Sequence, residues 1–229
     1  MPARNLIRVE CENSYYHIYN RGVDKMTIFA DEQDYSVFLK YLKDALDSPP
    51  DISKIKESFT LKGYTFQGVP HQHKNFYKKV SLICYCLIQN HFHFILHQKD
   101  KQDIKNFMQA VITRYSMYFN KKYKRVGGLF QGTYKSILVD NENYLLHLSR
   151  YIHLNPSKYV SDLKSAHSSY AEYLGERNTS WVKPKIILSF FETAKLDFKK
   201  GTQTYKDFVE KAKINSKEIL GKTCLEEHP

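Results

Sequence analysis

Residues 81–96 read Ser-Leu-Ile-Cys-Tyr-Cys-Leu-Ile-Gln-Asn-His-Phe-His-Phe-Ile-Leu. Two runs rich in apolar residues, Ser81 to Ile88 and His91 to His97, are separated only by Gln89-Asn90, a length that fits a two-residue β-hairpin. Side chains alternate along a strand, so His91 and His93 project from one face while Phe92 and Phe94 project from the other. The phenylalanines anchor the strand in a core. The two imidazoles stand side by side in front of it, suited to gripping one metal ion, with His97 further along the same face.

The rest of a domain can be read around this hairpin. Upstream, Tyr15-Tyr16-His17-Ile18-Tyr19 is an aromatic and β-branched run ended by Asn20-Arg21-Gly22, and it reads as a first strand. Asp31 and Asp34 open a segment with Tyr35, Phe38, Leu39, Leu42 and Leu46 at helical spacing, stopped before Ser48-Pro49-Pro50. Residues 51–79 are polar, punctuated by Gly63, Gly68 and Pro70, and read as a surface insertion carrying a small hairpin around Phe59–Phe66.

Downstream, Ile104, Phe107, Met108, Val111, Tyr115 and Tyr118 recur at helical steps, placing both tyrosines in the core. That helix runs into the basic stretch Lys121–Arg125. Thr133 to Val139 reads as a fourth strand. Asp140 stands where a helix N-cap belongs, Tyr144, Leu148, Tyr151 and Asn155 share one stripe behind it, and Pro156 ends the run. The order strand, helix, strand, strand, helix, strand, helix predicts an α+β fold. Its economical form is a ferredoxin-like or RRM-like four-stranded antiparallel sheet with two helices on one face. After about residue 160 the texture becomes Lys-rich and helical, with helices expected over Ile186–Lys195 and Tyr205–Lys213.

Composition narrows the partners. A formal net charge of +11 favours a polyanion, nucleic acid being the commonest, although a membrane surface would satisfy charge alone. Aromatic residues make up 14% of the chain, and interleaved with Lys and Arg they suit base stacking beside a phosphate-tracking surface. No apolar run approaches the ~18–20 residues of a membrane span, and the N-terminus lacks a signal-peptide stretch. Cys11, Cys84, Cys86 and Cys224 form no metal-type pattern. The chain reads as cytoplasmic and reduced, with no membrane partner.

Tyr151 and Asn155, four residues apart on a helix, point the same way, and a phenol and an amide oxygen can then both approach the metal edge of the sheet. Asn155 precedes Pro156, which disfavours helical geometry there. A second triplet, His71-Gln72-His73, has the same spacing as His91-Phe92-His93 but no core anchor, and reads as plain surface histidines.

Leu87–Leu96, together with Leu129-Phe130-Gln131-Gly132-Thr133-Tyr134-Lys135-Ser136 and Arg150-Tyr151-Ile152-His153-Leu154-Asn155-Pro156, resembles the IS200-like transposases. These are the single-tyrosine members of the HUH superfamily (His, hydrophobic, His), and the chain looks most like their REP-associated tyrosine branch. The resemblance spans roughly residues 10–175, and three ordered motifs are more specific than any one. It implies a transposase domain over residues 1–160, with 51–79 as an insertion, and a helical C-terminal extension over 161–229.

What the resemblance implies is metal-dependent cleavage of single-stranded DNA and strand transfer through a 5′-phosphotyrosine link. Tyr151 would be the nucleophile, with His91, His93 and Asn155 as ligands of Mg²⁺ or Mn²⁺. Asn155 stands where classical insertion-sequence members usually carry Gln. The partner would be single-stranded or hairpin DNA, and the chain a monomer or homodimer.

Arg114, Lys121, Lys122, Lys124, Arg125, Lys135 and Arg150 are the candidate DNA-backbone contacts. The main alternative is a catalytically silent protein, derived from a transposase, that grips hairpin DNA. An RNA-binding module on the same topology lacks its aromatic strand signature, and a zinc hydrolase would need further ligands beside the two histidines.

Overall fold

A computed structural model describes residues 10–51, 55–192 and 204–211. The hairpin forms as its spacing predicts: β4 (Val80–Ile88) turns through Gln89-Asn90 into β5 (His91–Gln98), with Ile88 paired to His91. β1 (Ser14–Arg21) lies antiparallel on the other side of β5, and β6 (Lys135–Val139) closes the sheet against β1. The four-stranded order is β4-β5-β1-β6. The insertion carries a separate two-stranded hairpin, β2 (Glu57–Leu61) and β3 (Tyr64–Gly68), in which Phe59 faces Phe66.

Alternation splits the core into two layers. Tyr16, Ile18, Phe92, Phe94 and Leu96 face α1 (Glu32–Leu46) and α2 (Asp103–Lys122). The ring of Phe94 stacks on Phe92 at 4.6 Å, and the ring of Phe38 on α1 lies 5.8 and 6.2 Å from Phe92 and Phe94, tilted to the first and nearly parallel to the second. On α1 the buried residues Tyr35, Phe38, Leu42, Ala45 and Leu46 repeat at three- and four-residue steps, and the Asp31 carboxylate caps the helix by accepting from Asp34 N–H at 3.0 Å. Tyr115 is fully buried and its hydroxyl donates to Ile28 O; the Tyr118 hydroxyl donates to Asp34. Tyr115 is a core residue, as its spacing predicts, whereas Tyr118 is only half-buried and packs against the core from its edge.

The opposite face carries Cys84, Cys86, His91, His93 and Ile95, and α3 (Glu142–Leu154) covers it. The expected pair of helices on one face is therefore α1 and α2, with the third helix behind the sheet. Two boundaries differ in detail from the sequence expectation. Asn141, not Asp140, is the N-cap of α3, accepting from Tyr144 N–H at 2.7 Å. The α-helix itself ends at Leu154, ahead of Pro156 as expected, but the helical path runs on through the proline. Asn155 keeps helical backbone angles (φ −54, ψ −38), and Asn155–Lys158 continue as a 3-10 turn. Proline at the first positions of a helical turn loses no hydrogen bond, because those N–H groups have no partner within the turn.

The chain beyond residue 160 runs along the outer edge of β4. Leu87 N–H donates to His167 O, Ser169 N–H to Tyr85 O and Lys183 N–H to Leu82 O, which occupies groups an open sheet edge would expose. Short helix α4 (Tyr170–Tyr173), α5 (Lys185–Glu192) and α6 (Tyr205–Glu210) follow, and residues of all three join the core behind α3. Cys224 and the far ends of the two expected C-terminal helices lie outside the described residues.

Candidate active site

The register of three strands places the site. β1 and β5 pair Tyr19 with His93 and Arg21 with His91, while β6 sets Lys135 opposite Tyr19. One sheet face therefore presents His17, Tyr19, His91, His93 and Lys135 together. Arg21 is anchored just before a close approach: a Cβ at Gly22 would sit 2.3 Å from Met26 O, so only glycine lets the chain fold back there.

α3 lowers Tyr151 and Asn155 onto this face. The Tyr151 ring meets His93 edge to face, with centroids 5.6 Å apart and planes at 89°. One turn later the Asn155 amide oxygen lies 3.4 Å from His91 Nε2. His91 Nδ1 is held by Asn90 Oδ1 at 2.6 Å, which fixes the ring and turns Nε2 toward Asn155. All four residues belong to one chain, so no second copy is needed to bring the phenol to the histidines.

Burial controls the electrostatics. His93 is fully buried, and its pKa is driven well below the ordinary 6.5, first by burial and then by His17, His91 and Arg21. His17 is pulled down to about 3 by burial alone. Both imidazoles are thus neutral at physiological pH and present lone pairs rather than charge.

The donor set fits a divalent cation. His93 Nε2 is buried without a hydrogen-bond partner among the described residues, a costly state for a polar atom in a packed interior. Among the described residues no cluster of three His, Cys, Asp or Glu is placed to hold a metal. An ion here would therefore be held by two imidazoles and a neutral amide. That set lacks the third strong protein ligand of a tight zinc site and leaves positions open to phosphate oxygens.

The candidate DNA-contact residues separate into two groups. Lys121 and Lys124 are exposed and Arg125 is half-buried. The stretch they occupy leads into Leu129 and Phe130, which bond to Val23 and bridge to Gly22 at the His91 end of the sheet. Lys135 lies on the histidine face itself.

The other three are occupied inside the fold. Lys122 Nζ is 2.7 Å from Asp31 and 2.8 Å from Asp34, tying α2 to α1. Arg114 pairs with Asp44 at 3.1 Å and lies over the Tyr41 ring. Arg150 is 7% exposed and donates from Nε to Phe208 O at 2.7 Å. His71 and His73 remain an exposed pair, ring to ring at 5.4 Å.

Sequence reasoning missed His17 and Tyr19. Both rings pack on His93, His17 at 5.2 Å and Tyr19 at 5.7 Å between centroids. Alternation along β1 puts them on a common face. Which strand that face adjoins depends on a register formed across 76 residues of sequence, as the His17–His93 bond shows.

With the geometry in place, comparison with known proteins adds a likeness over part of the chain. Residues 71–155 match the family model described as transposase IS200 like, a stretch that takes in β4, β5, α2, β6 and α3 through Asn155. Over that stretch, somewhat more than a third of the chain, the sequence is similar to the IS200-like transposases. The matched segment contains His91, His93, Tyr151 and Asn155, while His17 precedes it.

Four solved chains match significantly. One is described as a REP-associated tyrosine transposase bound to a REP hairpin. It aligns with a TM-score of 0.50 at 11% identity, covering 79% of this chain and 92% of that one. At that identity the likeness concerns the fold. No curated protein matches significantly. Among the described residues no helix is long and apolar enough to cross a membrane.

Proposed function

We propose that the chain cuts single-stranded DNA with Tyr151 and passes the cut end to a second strand. The observation that carries this is the convergence of Tyr151 and Asn155, from one face of α3, on His93 and His91. The fold-level relative is described as bound to a REP hairpin, which supports hairpin DNA as the substrate.

His91, His93 and Asn155 would hold Mg²⁺ or Mn²⁺, which when bound supplies charge neutralisation at the scissile phosphate. The phenolic oxygen of Tyr151 attacks phosphorus, and the bond from phosphorus to the 3′ oxygen breaks. The strand leaves as a free 3′-hydroxyl after gaining a proton, and the phenol proton passes to solvent. The 5′ phosphate is then esterified to Tyr151. Because bond energy is retained in that ester, a second 3′-hydroxyl attacks the same phosphorus and displaces the phenol without ATP. The α3 backbone and the edge-on contact with His93 hold the phenol oriented throughout, so little freedom is lost at the moment of attack.

End-labelled hairpin DNA incubated with Mn²⁺ tests this. The wild-type chain should give a protein-linked band on a denaturing gel, and Tyr151→Phe should give none while still shifting the DNA on a native gel. A native shift with no linked band for the wild type would replace this reading with the silent hairpin-binding protein.

A further inference from the structure

His17 lies outside the segment that matches the family model, on β1, and is 1% exposed. Its Nε2 is 2.9 Å from His93 Nδ1, and the two rings are nearly parallel at 20°. The bond consumes one nitrogen of each ring. The remaining nitrogens, His93 Nε2 and His17 Nδ1, are buried without a hydrogen-bond partner among the described residues.

A hydrogen bond between two neutral imidazoles needs one N–H and one lone pair, so two arrangements exist. If His17 Nε2 carries the proton, it donates to His93 Nδ1, and His93 must then hold its own proton on Nε2. That nitrogen could bind no cation. If His93 Nδ1 carries the proton, it donates to His17 Nε2, and His93 Nε2 is left with a lone pair aimed into the site.

We infer that His17 is a positioning residue that accepts the Nδ1 proton of His93 and so holds His93 in the tautomer able to ligate a cation through Nε2. This rests on the metal-site reading above. An acceptor behind a ligating histidine fixes both ring orientation and tautomer and raises the basicity of the ligating nitrogen.

Mn²⁺ affinity of the DNA-free protein, read by electron paramagnetic resonance, tests the inference apart from activity. His17→Phe keeps an aromatic ring but removes the acceptor, and should weaken Mn²⁺ binding about 10–100-fold. His17→Gln restores an acceptor and should recover most of that loss. Phe binding within about twofold of wild type, or a Gln variant as weak as Phe, would overturn the role.

Should the variants fail to fold, two-bond ¹⁵N–¹H spectra of the wild-type histidines decide the matter alone. The expected pattern is His93 protonated on Nδ1, and protonation on Nε2 overturns it. Wild-type protein that binds no Mn²⁺ would instead sink the metal-site reading, while the tautomer spectrum would still judge the His17 pairing.

Discussion

Replacing Arg150 by methionine distinguishes a DNA-binding cation from an internal fastener. Arg150 precedes the candidate nucleophile and carries a charge, yet it is buried on α3, and burial also lowers its pKa from the usual guanidinium value. Its Nε–H donates to the carbonyl of Phe208 on α6 at 2.7 Å, and its guanidinium lies 5.8 Å from the Phe208 ring.

Methionine keeps much of the stem but removes the donor. Losing a hydrogen bond from a charged group costs about 1.5–3 kcal/mol, part of it from the carbonyl left without its partner. In a chain of this size each kcal/mol lowers Tm by about 2–4 °C, so Arg150→Met should melt about 3–12 °C below wild type. Calorimetry reads that shift.

A salt titration of DNA binding reads the other half. A cation that neutralises a phosphate on single-stranded DNA contributes about 0.7 to the slope of log affinity against log salt. The fastener role predicts no change in that slope. A Tm within about 1 °C of wild type, combined with a slope flattened by about 0.7, would refute the reasoning and return Arg150 to the DNA surface.

Lys121→Ala with Lys124→Ala removes two exposed cations and should flatten the same salt slope by about 1.4 without a change in Tm; an unchanged slope would assign them to a solvated face. Phe94 is fully buried against Phe92, and Phe94→Ala should cost about 3–5 kcal/mol in a urea titration. Asp34 gives a pH prediction. Burial alone would raise its pKa, but Lys122, the Ala30 N–H and the hydroxyls of Tyr123 and Tyr118 outweigh burial and hold it below the ordinary 3.8. Its stabilisation is therefore complete above about pH 4 and is lost as pH falls through the lower folded value. Asp34→Asn should make the urea midpoint less sensitive to acid below about pH 4, and an equally steep loss in the variant would count against this.

The parts of the fold set by local pattern were legible in the sequence. Two apolar runs and the two-residue turn between them require the hairpin, and alternation along β5 separates His91 and His93 from Phe92 and Phe94. The α3 stripe joins Tyr151 to Asn155 because one helical turn does so wherever the helix lies. Errors arose where two local rules competed. Asp140 and Asn141 are both good caps, and Pro156 sits equally well after one helix or inside the next turn.

What local pattern could not reveal was pairing at long range. Lys122 looked like a free cation in a basic run because Asp34 lies 88 residues away in sequence. Arg150 looked available because Phe208 lies 58 residues beyond it. His17 looked like an ordinary strand residue until the β1–β5 register set it behind His93. Charge and periodicity identify which residues are able to act; the tertiary partners decide which are already engaged.

Mass spectrometry of the DNA-linked peptide addresses the chemistry itself. Digestion of the Mn²⁺-dependent adduct should yield one modified peptide, with Tyr151 joined to the 5′ phosphate of the downstream fragment. DNA attached to Tyr115, Tyr118 or another side chain, or joined through a 3′ phosphate, would contradict the account.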